Sequence, residues 1–428
     1  MLRKFYPLSV GDIPEFKKNL IDKVSEADNF CMLEANNYEG YPYSTFGSLI
    51  AIDSIEHFIP QSSTDTLTQF QRYLDNHEDW LFGYFNYDLK NEIHNMGTFP
   101  KGNLWHPISF FTPRWLIKIE GNEVFLGVRD VEDIATFDVF LHKNTSKKTD
   151  ATSLQLNHIP QKSTYLSNVE RLKEHIQRGD LYEVNYCIQW EAKGALNISE
   201  AFGHLNELSQ APFTCLFRQG HRYMLCASPE RFLKKKSNKL IAQPIKGTKG
   251  RSLLPGDDRY QRELLYNHEK ERAENIMIVD LVRNDLSQIA KTGTVEVEEL
   301  CKVYTFKQVH QMISTITAQL DTQKTKLSKI IRATFPMGSM TGAPKRSAIM
   351  AIDKYEQGHR DLFSGAIGYI TPKGDFDFNV IIRSIFYDDE TMAAKVCTGS
   401  AITYDSKAEA EYEECLIKAK ALLQSIGV

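Results

Sequence analysis

No stretch of this 428-residue chain approaches the ~20 consecutive apolar residues of a membrane-spanning helix, and Met1-Leu-Arg-Lys-Phe-Tyr-Pro7 lacks the apolar core of a secretion signal. A cytoplasmic protein with no membrane contact is expected. An excess of one charge is also missing: 51 Lys and Arg stand against 55 Asp and Glu, a net charge of −4. That argues against a broad electrostatic footprint for nucleic acid. The seven cysteines (Cys31, Cys187, Cys215, Cys226, Cys301, Cys397, Cys415) contain no Cys-x-x-Cys pair and are odd in number, which disfavours zinc and a disulfide framework and favours reduced, buried thiols. Short repeats and low-complexity segments are absent. So is a Walker A loop, because in Gly338-Ser-Met-Thr-Gly342-Ala-Pro344 the second glycine is followed by Ala-Pro instead of Lys-Ser/Thr.

What is present is enough chain for two or three ordinary domains. Residues 143–153 are polar and lack large apolar side chains, which predicts a boundary near residue 155, between an N-terminal region 1–155 and a region 156–428. In the first, residues 30–35, 80–87 and 115–119 read as strands and 68–76 as a short helix, without a chemical motif.

The candidate chemistry begins at Lys246, in Pro244-Ile-Lys-Gly-Thr248, sixteen residues after Glu230 in Ser228-Pro-Glu-Arg-Phe232. Mostly apolar arms on either side of Lys235-Lys-Ser-Asn-Lys239 predict a hairpin reversing at Ser237 and Asn238, with Glu230 opposite Lys246 to within one residue of register. Cross-strand β-carbons stand about 5 Å apart, near enough for an acid and an amine to share one small molecule. A free lysine, with a pKa of about 10.4, must lose its proton to act as a nucleophile; burial or nearby cations such as Lys249 and Arg251 would lower that pKa. Residue types alone also fit a surface lysine in a basic hairpin.

Alternation over residues 181–191 puts Tyr182, Val184, Tyr186, Ile188 and Trp190 on a core face and leaves Glu183, Asn185 and Gln189 on a polar face, read from the residues as solvent-facing. Pro255-Gly-Asp257 predicts the start of one long helix to about Leu286, capped by Asp257 or Asp258, with Glu271 and Glu274 one turn apart. Asp405-Ser406 followed by Glu409 predicts a capping box opening a C-terminal helix on which Glu411 and Glu414 repeat the spacing and Lys418 continues the stripe. Such pairs are commonly solvated faces, yet four carboxylates with no soft ligand also suit Mg²⁺. Pro344 is placed at a first helical position, with the preceding glycine-rich amides either facing an anion or forming a structural turn. The run Asp280-Leu-Val-Arg-Asn-Asp285 reads as a helix-end charge network.

Taken in order, Ser-Pro-Glu-Arg-Phe, Pro-Ile-Lys-Gly-Thr, the run from Glu274 to Leu286, Gly338-Ser-Met-Thr-Gly-Ala-Pro-Lys345, Asp377-Phe-Asn-Val-Ile-Ile-Arg383 and Glu411-Tyr-Glu-Glu414 with Lys418 resemble the chorismate-utilising enzymes over residues 163–425. The resemblance implies an intertwined α+β body: two facing antiparallel β-sheets flanked by helices, the α/β/β/α sandwich of anthranilate synthase component I, with substrate between the layers. Anthranilate synthase large subunits typically carry Ala where this chain has Lys246. Lysine there marks the branch that aminates chorismate at carbon 4 through a covalent lysine adduct, toward para-aminobenzoate and folate. Isochorismate and salicylate synthases place a lysine base where Glu183 stands, so their water-activating step is not expected.

The resemblance further implies Lys246 as nucleophile and Glu230 as acid. Mg²⁺ is held by Glu274 and Glu414, with Glu271 and Glu411 acting through water. Gly247, Thr248 and Lys418 bind the ring carboxylate, and Arg383 and the Gly399 backbone bind the enolpyruvyl carboxylate. Phe363 replaces a frequent tyrosine, Gln311 stands where a histidine is frequent, with His310 beside it read as a satisfied helix residue, and Gly399-Ser-Ala401 replaces Gly-Ala-Gly. No segment resembles a glutamine amidotransferase or a lyase, so a separate glutaminase subunit, in a heterodimer, is the expected source of ammonia. Two alternatives stand beside this reading: an anthranilate synthase large subunit, and a catalytically silent chorismate-binding subunit.

Overall fold

The computed structural model describes residues 2–36, 38, 43, 47–62, 64–97, 104–143, 151–307 and 309–428. Its strands pair antiparallel throughout, in two ladders that meet at one long strand, Ile108–Glu120. From that strand the first ladder runs through Ser48–Phe58, Asn29–Glu34, Phe213–Gln219, Arg222–Ser228, Ser384–Asp388 and Ala393–Ile402 to Glu183–Lys193. The second leaves its N-terminal end through Leu81–Phe85 and continues by Ala366–Ile370, Phe376–Val380, Arg231–Lys236 and Lys239–Gln243 to Val309–Gln319.

Strand Asn29–Glu34 shows why the residues sort as they do. Its side chains alternate between faces, and both faces are buried: Cys31 and Leu33 join Phe82, Tyr84, Ile367 and Phe378 of the second ladder, whereas Phe30 and Met32 pack with Leu20, Val169, Leu205 and Leu422 of outer helices. Beyond the second ladder, helices Glu269–Ser287 and Leu327–Thr334 add Val279, Leu286, Ile330 and Ile331. Each such fully buried side chain is worth about 1.5–3 kcal/mol. The layers are therefore helix, sheet, sheet, helix, the α+β sandwich that the motifs implied.

The expected linker at 143–153 falls mostly on 144–150, outside the described residues. Strands from before and after it interleave, Asn29–Glu34 with Phe213–Gln219 and Leu81–Phe85 with Ala366–Ile370. All seven cysteines are buried and free. Among the described residues no helix is long and apolar enough to cross a membrane.

Several local expectations are corrected. The chain does reverse at Ser237 and Asn238, but the returning arm ends at Gln243. Lys246 lies on a separate strand, Ile245–Gly250, paired with Val309–Gln319, so it is not the cross-strand partner of Glu230. The long helix is two, Pro255–Asn267 and Glu269–Ser287, because His268 turns extended and its ring accepts from the Glu271 amide. Asp258 instead holds Arg251 and His310. The C-terminal helix, Ala408–Ser425, opens without a capping box, since the Ser406 hydroxyl is used by Thr403 and Ala401. His310 lies on a strand, not a helix, and Pro344 precedes its helix, Lys345–Tyr355, by one residue.

Candidate active site

All eleven residues singled out in the sequence line one cavity of about 500 Å³: Lys246, Glu230, Gly247, Thr248, Arg383, Gly399, Lys418, Glu271, Glu274, Glu411 and Glu414. Strand Ile245–Gly250 supplies the lysine and its two followers, and the tight link before Arg231–Lys236 supplies Glu230. The helical spacing of the glutamates puts each pair on one side of its helix, and the helices Glu269–Ser287 and Ala408–Ser425 bring the two pairs to the same wall. Gly247 adopts φ +91°, and a β-carbon there would stand 3.1 Å from Glu271 Oε2; glycine lets that carboxylate approach the backbone.

The polar face of strand Glu183–Lys193 is not solvent-facing. Glu183 and Asn185 are buried, and Lys246 Nζ donates to Glu183 Oε1 at 2.5 Å. Burial works to lower the lysine's pKa, but the carboxylates of Glu183 and Glu274 outweigh it and raise the pKa above its ordinary value. This corrects the expectation of a lowered pKa: Arg251 is turned away on Asp258, and anions, not cations, surround the amine. Glu230 behaves in the opposite way. Burial pushes its carboxyl up to about 7, against the hydrogen bond from Ser339 and the charge of Lys246, and Ser339 Oγ donates to its Oε1 at 2.6 Å.

Burial likewise raises Glu274 to about 7, with Lys246 opposing and Glu183 assisting. Its Oε1 is buried without a hydrogen-bond partner among the described residues. Lys270 Nζ stands 3.6 Å from that oxygen and 3.3 Å from Glu411 Oε1. For Glu414, burial would raise the pKa, but Lys418 at 2.6 Å holds it below the ordinary value. No three potential ligands among the described residues form a closed metal cage. Mg²⁺ commonly takes only one or two carboxylates and fills its remaining positions with water and substrate. An all-oxygen wall with one orphaned carboxylate oxygen, already visited by an ammonium group, fits that habit.

Arg383 sits at φ +52° between Phe376–Val380 and Ser384–Asp388. Its guanidinium makes no hydrogen bond or ion pair among the described residues, and burial lowers its pKa against the pull of Glu414. Lys418 Nζ donates to Gly399 O at 2.8 Å. Phe363, Gln311 and Ala401 line the same cavity, and Gln311 Oε1 has no hydrogen-bond partner among the described residues. Sequence reasoning missed Glu183 as a partner of the lysine, along with Ser339 and Lys270. Only Lys270 carried a local signal, four residues before Glu274.

The chain matches the chorismate binding enzyme family over residues 30–424. It is 30% identical over 427 residues to aminodeoxychorismate synthase component 1 of Escherichia coli (strain K12), a match covering 93% of each chain. An anthranilate synthase component I-like protein of Synechocystis sp. is 32% identical over 362 residues, 83% of this chain and 74% of that protein. The structure of anthranilate synthase component I from Streptococcus pneumoniae superposes with a TM-score of 0.77 at 22% identity, covering 90% of this chain and 93% of that one, a shared fold.

Proposed function

Because the chain belongs to the chorismate binding enzyme family, we propose that it is the large component of an aminodeoxychorismate synthase, converting chorismate and ammonia to 4-amino-4-deoxychorismate through a covalent adduct on Lys246. The observation that carries this is a buried lysine lining the same cavity as a carboxyl group poised near neutrality. The E. coli relative's name points the same way.

Arg383, with a planar fork suited to a carboxylate, and the Gly399 backbone hold the enolpyruvyl carboxylate. The amides of Gly247 and Thr248, with Lys418, hold the ring carboxylate. Lys246 Nζ bonds to ring carbon 2 while the diene shifts and the bond from carbon 4 to its hydroxyl breaks. Glu230, whose proton burial holds up to about pH 7, gives that hydroxyl the proton with which it leaves as water. Ammonia then bonds to carbon 4, the bond from carbon 2 to Nζ breaks, and the proton shed by the incoming nitrogen restores Glu230. Two easier substitutions replace one difficult one. Glu274 and Glu414, with Glu271 and Glu411 beyond them, are the residues that would hold Mg²⁺, whose charge when bound draws electron density from the ring through its carboxylate.

The ammonia comes from a separate glutaminase subunit, with free ammonia as a weaker substitute, in a cytoplasmic route to para-aminobenzoate and folate. The deciding experiment supplies chorismate, Mg²⁺ and ammonium salt and identifies the product. The expected product is 4-amino-4-deoxychorismate, abolished by EDTA and restored by Mg²⁺. Anthranilate as product would reject the proposal in favour of the other amination, and Lys246→Ala with full turnover would reject the adduct.

A further inference from the structure

Attack by Lys246 requires its amine to be neutral, yet the group is buried and ion-paired. A proton leaving Nζ needs an acceptor already in contact. The charged groups facing the amine are Glu183 from strand Glu183–Lys193, Glu230 from the link before Arg231–Lys236, and Glu274 from helix Glu269–Ser287. Glu230 must keep a proton of its own for the departing hydroxyl, and Ser339 occupies one of its oxygens. Glu274 belongs to the proposed metal wall and makes no hydrogen bond to Nζ. Glu183 is different in both respects. Its Oε1 is 2.5 Å from Nζ, and its Oε2 is buried without a hydrogen-bond partner among the described residues. It does not line the cavity, and its side-chain hydrogen bond is to that nitrogen.

The backbone fixes Glu183 in this place. The short strand Gly342–Ala343 pairs with Val184 and Glu183, and the Tyr182 and Asn185 amides donate to Ala343 and Thr341 carbonyls at 2.7 and 2.8 Å. Gly342 has φ +139°, and a β-carbon on it would stand 2.0 Å from the Glu183 carbonyl oxygen, so only glycine permits this closeness.

We infer that Glu183 is the base that takes the proton from Lys246 as the adduct forms and the acid that returns it when the lysine is expelled. The inference rests on the proposed role of Lys246 as nucleophile. In the first step one proton moves from Nζ to Glu183, and the freed electron pair makes the bond to carbon 2. The secondary ammonium so formed leaves in the second step as a neutral primary amine, and Glu183 reprotonates it, restoring the starting pair. No outside oxidant or reductant is involved.

The test follows adduct formation by rapid quench and intact mass on the full chain, with chorismate and Mg²⁺ but no ammonia, for the wild type, Glu183→Gln and Glu183→Ala. Both variants are expected to bind chorismate within a few-fold of wild type and to form the adduct about 100-fold more slowly or worse at pH 7, the usual contribution of a positioned base. Added formate is expected to recover the rate in Glu183→Ala by occupying the vacated carboxylate position. A Glu183→Gln rate close to wild type overturns the inference, as does a slow Glu183→Ala that formate does not recover, which would mark the side chain as structural. Absence of adduct on the wild type overturns the proposed function itself, and this inference with it.

Discussion

Replacing Glu230 by Gln should stabilise the folded protein at alkaline pH while slowing its chemistry. In the folded state burial moves this carboxyl from 4.5 up to about 7. Below pH 4.5 both folded and unfolded wild-type chains carry the proton, and the group contributes nothing to the difference between them. As pH rises from 4.5 to 7 the unfolded chain gives the proton up while the folded chain retains it, so wild-type stability falls relative to a variant that does not titrate. Above 7 the gap is constant. Each pH unit is worth about 1.4 kcal/mol, so the full gap is about 3 kcal/mol. Gln keeps an oxygen to accept from Ser339 Oγ, which leaves the neighbouring hydrogen bond in place. Denaturant titrations of both proteins at pH 5 and pH 8.5 measure the gap directly, and a gap that does not widen between the two would refute the reasoning. The same proton governs catalysis: wild-type adduct formation should decline as pH rises through about 7, and Glu230→Gln should be slower by about 10²–10⁴-fold.

Other consequences can be checked in the same way. Arg383→Lys trades a planar fork for a point charge, and the chorismate KM should rise roughly tenfold or more in steady-state assays while the fold is kept. Asp377→Asn leaves the fully buried Arg231 guanidinium without its 2.8 Å carboxylate partner, at a cost of about 3–5 kcal/mol in chemical denaturation. Gly342→Ala places a methyl group against the Glu183 carbonyl; a loss of about 3 kcal/mol is expected, visible as a lower melting temperature, together with slower adduct formation.

The cavity was more legible in the sequence than the path of the chain to it. Glu271 with Glu274 and Glu411 with Glu414 follow helical spacing, and Lys246, Glu230 and Arg383 sit in short motifs, so each could be named from neighbours in sequence. The contact between Lys246 and Glu183 could not. It joins residues 63 apart on strands that are not neighbours in either ladder, and no local pattern records such a meeting. Register failed for a similar reason. Irregular pairing between Arg231 and Lys234 shifts the hairpin register, and the returning arm ends at Gln243, short of Lys246. The helix break at His268 carries no glycine or proline to announce it, and tertiary packing alone decides whether Ser406 caps a helix or serves a turn.

The order in which strands become neighbours has a cost during synthesis. Leu81–Phe85 receives Ala366–Ile370 only after 366 − 81 = 285 further residues have been made, and at ~5–20 residues per second a ribosome needs about 15–60 s to deliver them. Through that interval an aromatic strand carrying Phe82, Tyr84 and Phe85 waits with one open edge. Nascent chains of this protein should therefore depend on chaperone shelter far more than the finished molecule does.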